Sequence, residues 1–375
     1  MPQLRHPLAA LLLVASVPSL SAQQDSERTT LGGYGEVHYT NPTGTNSPGQ
    51  VDLKRFVVYL AHQFNDRISV RSEIEVEDAK VEGGEAGGEV AVEQLVLDYR
   101  FSDAFTLRSG LLLPPIGILN ENHEPPTFNG VNRPDFDTDV IPTTWRELGL
   151  GAAGRIPGTS GLAYRVYLLN GLKADGFAGS DGIAEGHQEG KDASFANPSV
   201  TGRLEYGRPG LKLGGSFWYG GSSNQTPGLG DGIFAAPVLL VAGDVRYDVG
   251  AFMFRGEAAM ISIRDAGKIN AAFGTNVGRR LDGGYLEGAV KLLNWLAPDS
   301  RQQFNLFVRH ERFNTQADVP GGTIADPANS RRITTLGVTY KPVWNVVFKG
   351  DYQLRRDRSN VDQPEVVSLG IGYQF

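Results

Sequence analysis

Several features common in folded proteins are missing from this sequence of 375 residues. It contains no cysteine, which excludes disulfide scaffolds and thiolate zinc sites and suits an oxidising environment, where free thiols are a liability. Methionine occurs only 3 times, whereas glycine occurs 48 times and phenylalanine and tyrosine occur 18 and 13 times. This balance favours β-structure over helices.

The sequence also lacks long apolar runs and an excess of basic over acidic residues. Beyond the first 22 residues, no segment approaches the roughly 20 apolar residues that a membrane-spanning helix needs. Without residues 1–22, Lys and Arg fall from 35 to 34 against 42 Asp and Glu, so the net charge is about −8. Nucleic acid is therefore not an expected partner, because phosphate contacts require a basic face.

Residues 1–22 have the features of a secretory signal peptide. Arg5 gives a basic start, Leu8 to Val17 is a short apolar run, and Ser19 to Ala22 offers a small-residue cleavage site. The alternative, a buried core helix, is disfavoured because the polar stretch 23–30 follows at once. We expect a signal at 1–22, a polar segment at 23–30 and one β-barrel over 31–375.

Segments of about ten residues with alternating apolar and polar side chains recur over residues 31–375. In residues 67–78, Ile68, Val70, Ile74 and Val76 fall on one face and polar or charged side chains on the other. Residues 251–262, 303–311 and 344–355 alternate similarly, whereas residues 51–64 fit either phase. Such long strands with an unbroken charged face are typical of barrels that meet lipid outside and water inside.

The connections between these segments alternate in length. Seven are short: 65–66, 102–104, 157–160, 208–210, 248–250, 297–300 and 341–343. Eight are long and rich in glycine, proline or polar residues: 41–50, 80–88, 115–144, 171–197, 221–237, 264–281, 316–330 and 357–363. The fold class predicted is therefore all-β: a closed antiparallel transmembrane β-barrel of about 16 strands, with short periplasmic turns and long extracellular loops.

Several stretches resemble the phosphate-selective porin O and P family of Gram-negative outer-membrane porins. They are Gly33–Tyr39, Val51–Phe56, Arg67–Glu77, Val92–Tyr99, Gly117–Phe128 and Ile141–Glu147. The resemblance is dense over residues 31–170. It implies a homotrimeric, sixteen-stranded porin of the outer membrane whose third loop, here 115–144, folds into the lumen as the constriction.

Candidate constriction residues lie in and next to that loop. They are Glu121, His123, Glu124, Arg133, Asp135, Asp137, Asp139 and Arg146. With Glu147, six acids stand against two arginines, whereas phosphate-selective members gather lysines there. We therefore expect weak cation preference or near-neutral selectivity, with no tight phosphate site.

A second set of candidates falls on the predicted lumen face of the wall. It comprises Arg71, Glu73, Glu75, Arg108, Arg165, Arg203, Glu205, Arg255, Glu257, Arg309, Glu311, Lys349 and Arg355. Two interpretations stay open and can coexist: a transverse field that orients solutes, or cross-strand ion pairs that solvate the wall.

Metal, cofactor and enzyme motifs are not found. Asp135 to Asp139 lacks the glycine and glutamate of a calcium loop, and Pro125 and Pro126 forbid the helix that a His123-Glu124 zinc motif would need. There is no nucleophile elbow and no phosphate-binding loop. No metal, cofactor or enzymatic activity is expected.

The leading hypothesis is a passive diffusion channel of the bacterial outer membrane for small hydrophilic solutes or ions. The alternatives are a structural or adhesive barrel with ligand-binding loops, and a soluble secreted β-sandwich. Expected partners are outer-membrane lipid, lipopolysaccharide, two further copies of the chain, and the barrel-assembly machinery. The last follows from the final strand, which ends on Phe375 and resembles the terminal signature of outer-membrane barrels.

Overall fold

The structure is a computed structural model that describes residues 28–77, 89–359 and 361–375. The predicted signal peptide, most of the polar segment 23–30 and the predicted loop 80–88 lie outside these residues. The described strands number sixteen and close on themselves, since the first pairs with the last as well as with the second. Every pairing is antiparallel, so the predicted fold class is confirmed.

The strands are β1 (Thr29–Pro42), β2 (Gln50–Gln63), β3 (Ile68–Glu77), β4 (Glu89–Ser102), β5 (Phe105–Leu112), β6 (Glu147–Arg155), β7 (Leu162–Leu169), β8 (Ser199–Arg208), β9 (Leu211–Gly220), β10 (Val238–Val249), β11 (Phe252–Ile263), β12 (Arg280–Lys291), β13 (Gln303–Asp318), β14 (Ser330–Val343), β15 (Val346–Arg356) and β16 (Val366–Gln374). Short helices are α1 (Phe136–Asp139), α2 (Ala266–Phe273) and α3 (Leu293–Leu296), with 3₁₀ turns at Pro125–Thr127, Ala174–Gly176, Ala184–Gly186 and Pro327–Asn329. No helix in the described ranges has the length and apolar character that crossing a bilayer would require.

Two connections differ from the prediction. The β12–β13 connection runs over 292–302 instead of 297–300, because α3 forms within it and packs Trp295 against Phe252, with ring centroids 5.7 Å apart. The turn after β14 lies at 344–345, since a β-bulge between Tyr340 and Val343 carries that strand past Pro342. The other described short turns and long loops fall where the sequence placed them, within a few residues at each end.

The strand faces separate apolar from polar side chains. On β13, Leu306 and Val308 are 42% and 46% exposed on the outside, whereas Arg309 and Glu311 are buried on the inside. On β11, Phe252, Phe254 and Met260 likewise face outward and Glu257 inward. The barrel therefore turns its apolar face to its surroundings and its charged face to its own interior.

Strand β2 explains why its sequence fits both phases. Glu36 pairs with Arg55 and Val37 with Leu53, so Lys54 is an extra residue in a β-bulge. The bulge switches the face of every residue beyond it. Arg55 thereby points inward while Leu53 and Phe56 both remain on the outside.

Aromatic side chains gather at one end of the outer surface. Stacked or tilted ring contacts join Tyr99 to Phe101, Phe304 to Tyr340, Tyr340 to Phe348 and Tyr373 to Phe375, with ring centroids 4.5–6.4 Å apart. All of these residues lie near the short turns, at the end where the chain also finishes. We call this the short-turn end and the opposite one the loop end.

Candidate functional site

The connection from β5 to β6, residues 113–146, crosses the interior of the barrel. Its backbone amides donate hydrogen bonds to carboxylates on distant strands: Ile118 to Glu257 of β11 at 3.0 Å, Phe136 to Glu311 of β13 at 3.0 Å and Val131 to Asp351 of β15 at 2.6 Å. These carboxylates lie on the inner face of strands far from β5 and β6 in the barrel order. We call residues 113–146 the inner loop.

Local sequence lets the inner loop approach the wall so closely. Gly117 has φ +70°, a backbone conformation that favours glycine, and a Cβ there would lie 2.0 Å from Oε1 of Glu257 and displace that carboxylate. The 3₁₀ turn Pro125–Thr127 packs on β16, where a Cβ at Gly372 would lie 2.5 Å from Pro125. Glycine in the loop and glycine on the wall therefore each leave the space that the facing side chain occupies.

Wall cations hold the loop in place. Arg355 pairs with Asp135, Arg331 with Asp139, and Arg165 with Glu121 at 3.4 Å. Two more act on carbonyl groups: Lys341 donates to Pro126 at 2.6 Å, and Arg255 donates to Thr127 at 2.8 Å. Asp135, Asp139 and Glu121 thus already have partners on the wall.

The remaining loop candidates occupy different environments. Asp137 is fully buried, and burial, followed by the charges of Glu257 and Glu311, raises its pKa well above the usual value. Burial, followed by the charge of Arg55, lowers the pKa of the buried Arg133, whose Nη1 donates to Thr144 at 3.0 Å. Arg146 pairs with Glu189 of the next loop at 3.1 Å, and Glu124 is half-buried.

His123 and Arg146 contact different parts of the interior. His123 faces β4, where its Nε2 lies 3.6 Å from Glu93. Arg146 lies near His187, which stacks on Trp145 with ring centroids 5.2 Å apart. Burial, reinforced by the charge of Arg146, lowers the pKa of His187 to about 3.

Wall charges predicted to face the lumen occur in networks. Arg71 and Arg108 share Asp98, Arg203 bonds Asp244 and Glu205, and Arg309 bonds Glu311 and Glu287. Lys349 is buried with its Nζ 3.6 Å from the ring centroid of Phe128 in the inner loop. Glu73 accepts from Gln94 at 2.9 Å.

Sequence reasoning missed one group at the centre of the barrel. Arg55 reaches Glu36 at 2.9 Å and Glu75 at 3.4 Å, and Tyr34 donates to Glu93 at 3.4 Å. Arg55 and Glu93 were both hidden by β-bulges, at Lys54 in β2 and at Glu93 in β4, where the outward phase of the strand changes. Glu36 lies in a stretch whose alternation the sequence shows, so its inward facing was detectable.

Three side chains in this region have metal-ligand character. Glu73, Glu93 and His123 offer ligand atoms that lie within 4.8 Å of one another. Burial opposes protonation of His123, but the Glu93 carboxylate outweighs it and raises the histidine pKa above its usual value. When His123 is protonated, it forms an ion pair with Glu93 in this geometry, with Arg55 and Arg133 close by.

Two cavities follow the wall formed by β1 to β4, one on each side of this central group. The cavity toward the loop end, of about 380 Å³, is lined by Glu75, Glu77, Arg146, Glu185 and Glu189, among others. The cavity toward the short-turn end, of about 480 Å³, has as its charged lining Arg28, Asp66, Arg71 and Asp98. The first therefore carries an acidic excess and the second is balanced.

An apolar cluster fills another part of the interior and borders these cavities at Val96, which lines the second, and at Trp145, which stacks on His187 of the first. Trp145 of the inner loop packs on Trp218 of β9, with ring centroids 4.3 Å apart, and Phe177 and Ile183 of the next loop join them. Ile261 and Ile263 of β11 and Ile269 of α2 continue the cluster. The loops thereby form a packed layer across that side of the barrel.

Comparison with known proteins gives one sequence relative and several structural ones. The sequence matches no protein-family model. An uncharacterized protein of Aquifex aeolicus is 36% identical over 383 residues, covering 100% of this chain and 85% of the relative. The fold is similar to Salmonella typhi OmpF (TM-score 0.62, 13% identity, 92% of this chain and 97% of that one). It is also similar to the anion-selective porin of Comamonas acidovorans (0.57, 10%, 92% and 99%) and to the outer-membrane channel DcaP of Acinetobacter baumannii (0.56, 13%, 92% and 97%).

Proposed function

The chain belongs to the same family as the uncharacterized protein of Aquifex aeolicus, and from its barrel we propose that it forms a water-filled outer-membrane channel for passive diffusion of small hydrophilic solutes and ions. The observation that carries the proposal is the inverted barrel: apolar side chains outside, charged side chains inside, and a loop across the interior. Backbone groups are satisfied around a closed sheet, which is what a hydrocarbon environment demands.

The outer surface supports a membrane location. Exposed leucine, valine and phenylalanine side chains cover strand after strand, and the aromatic side chains at the short-turn end match the girdle that marks a membrane interface. In water, an apolar surface of this extent would drive association. We propose that the short turns face the periplasm and the loop end faces the exterior.

The two cavities along β1 to β4 support a route for solutes. They lie on either side of Arg55, Glu93 and His123, and we propose that these three side chains form the narrowest point of the route. Because Asp135 and Asp139 are held by wall arginines, they serve as loop anchors in this proposal. The charge that biases permeation then comes from the acids of the cavity toward the loop end, namely Glu185 and also Glu77, which Lys54 and Arg55 neutralise in part.

This arrangement favours weak cation preference and no tight phosphate site. Low-dielectric walls focus the field of the cavity acids on a permeating ion. The excess is small, since Arg146 pairs with Glu189 and Arg55 contacts Glu75. The resemblance to phosphate-selective porins therefore concerns architecture in our proposal.

Reversal potentials in planar bilayers test the proposal. Purified protein under a KCl gradient should give stepwise conductance and a weakly cation-selective reversal potential. Glu77→Gln with Glu185→Gln should shift that potential toward anions, whereas Asp103→Asn at an exposed short turn should not. Absence of conductance would contradict the channel. Strong anion selectivity with block by millimolar phosphate would contradict the charge assignment.

Export, oligomeric state and recognition by the assembly machinery are proposals as well. We propose that residues 1–22 direct export, that three copies assemble, and that the assembly machinery recognises the last strand. The last receives support from Phe375, whose main chain exchanges two hydrogen bonds with Gly33 at 2.8 and 3.0 Å while its side chain stays 59% exposed. The residue that closes the barrel therefore also presents an accessible ring.

A further inference from the structure

Three arginines stand side by side on the outer face of the barrel. Arg312 of β13 pairs with Arg332 of β14, and Arg332 pairs with Arg356 of β15. All three are exposed on the outside, in one row across neighbouring strands. Strand spacing puts the outer two about 10 Å apart. We call Arg312, Arg332 and Arg356 the arginine row.

The row lies where the apolar outer surface ends. Below Arg312 toward the short turns, the outward residues of β13 are His310, Val308 and Leu306. Below Arg332 they are Thr334 and Leu336, and below Arg356 they begin with Leu354. On each strand, therefore, the arginine sits at the loop-end border of the apolar belt.

Like charges directly opposite each other in a sheet are destabilising without a counter-charge. Over the described ranges, no carboxylate lies within 4.0 Å of the Arg312 or Arg332 guanidinium groups, and Arg356 reaches Glu365 at 3.8 Å. Arginine guanidinium groups form bidentate bonds with phosphate in particular. The row is therefore suited to an anion carrying phosphate.

A groove leads away from the row over the neighbouring strands. It measures about 730 Å³ and its floor is formed by Gly243, Ala258 and Gly284, which pair in register from β10 to β12. Gly284 in turn pairs with Arg312, so the floor ends at the first arginine. Val245 and Leu286 form the apolar sides.

We propose that the arginine row and this groove together bind one phosphorylated membrane lipid, with its phosphate on Arg312 and Arg332 and an acyl chain over Gly243, Ala258 and Gly284. The inference rests on the membrane location in the proposed function and goes beyond the channel itself. A lipid supplies both an anionic head and an apolar chain in one molecule, at the height where the belt ends. The ligand class is a phosphate-bearing lipid of the leaflet at the loop end.

Binding of bisphosphorylated lipid A to the purified full chain tests the proposal by native mass spectrometry. Arg312→Gln with Arg332→Gln should weaken binding by about tenfold or more, which corresponds to about 1.4 kcal/mol. Arg100→Gln, at an exposed arginine of the short-turn end, should leave binding unchanged. Heat-modifiable migration should be retained in every variant, and Arg312→Lys with Arg332→Lys should bind between wild type and the glutamine pair.

The same assay separates the phosphate contact from the groove. Ala258→Phe, which fills the groove, should weaken lipid A binding without changing the arginines. Equal binding of fully dephosphorylated lipid A would overturn the phosphate contact. Displacement of lipid A by millimolar inorganic phosphate would assign the row to free phosphate and overturn the lipid. Unchanged binding in the glutamine pair would overturn the location.

Conductance recorded on the same preparations distinguishes this inference from the channel. If the barrel conducts but does not bind lipid A, only the proposed lipid site is contradicted. If it binds lipid A through the arginine row but does not conduct, the lipid site stands and the proposed channel is contradicted. The glutamine pair should conduct like wild type, because the arginine row faces away from the interior.

Discussion

The buried arginine of β13, Arg309, lies between two carboxylates inside the barrel. Arg309 is 1% exposed and reaches Glu311 at 2.9 Å and Glu287 at 3.6 Å, so three charges share one dry environment. Removing one member of such a group leaves an uncompensated buried charge, which costs about 3–5 kcal/mol. Each of these side chains therefore constrains the inner loop as well as the wall.

His123 gives the residue-scale prediction, because its protonation is tied to the docked loop. Its pKa is raised above the usual 6.5, so its pairing with Glu93 stabilises the fold below pH 6.5 and loses this effect as pH rises through the raised value. His123→Gln should lower the free energy of unfolding by about 2 kcal/mol at acidic pH and by less at alkaline pH. Unfolding midpoints on heat-modifiability gels across pH 5–9 measure the difference.

The control for this prediction is Glu93→Gln. In that background the effect of His123→Gln should depend much less on pH, since the main carboxylate partner is gone and only Glu73 and Glu124 remain nearby. His187 does not interfere, because its lowered pKa of about 3 keeps it neutral across the range. A pH-independent effect of His123→Gln in the wild-type background would contradict the prediction, because it would show that His123 does not change protonation between pH 5 and 9.

At the scale of elements, alternation predicted the strands and their faces wherever the period of two was unbroken. It could not resolve β2, since the bulge at Lys54 changes phase inside the strand. It also missed α3, because a four-residue helix has too little sequence to show a helical period. The outer-face assignments of β11 and β13 needed only local residues, whereas the contacts of the inner loop join residues up to 220 positions apart.

Strand β14 supplies the element-scale prediction. Leu336 lies mid-strand and Val343 at the short-turn end, with 47% and 49% of their surfaces exposed outside. Leu336→Arg should cost about 2–4 kcal/mol and Val343→Arg about 0–1 kcal/mol, since the penalty for a lipid-facing charge depends on depth. Urea unfolding in lipid vesicles measures both. Equal costs would mean that β14 does not cross hydrocarbon.

For the whole molecule, the strand pattern indicated a closed barrel and the family resemblance implied a loop that enters it, but neither indicated how the interior is divided. Trp145, Phe177 and Ile261 come from two loops and a strand and meet only after the barrel closes. Their packing fills one side and leaves cavities along β1 to β4. Packing between residues far apart in the chain leaves no periodic sequence pattern, so it could not be predicted from the sequence.

Orientation is the property of the whole molecule that remains to be tested, and cysteine labelling tests it. The chain has no native cysteine, so single cysteines can be placed without background. Asp231→Cys lies in the exposed part of the 221–237 loop, and Asp66→Cys in the exposed turn between β2 and β3.

If the loop end faces the exterior, a maleimide attached to a polymer too large for the channel should label position 231 in intact cells. Position 66 should react only after the cells are lysed. Both must react in detergent, which controls for the chemistry of each site. Labelling of 66 but not 231 in intact cells would invert the barrel, and it would move the arginine row to the periplasmic leaflet.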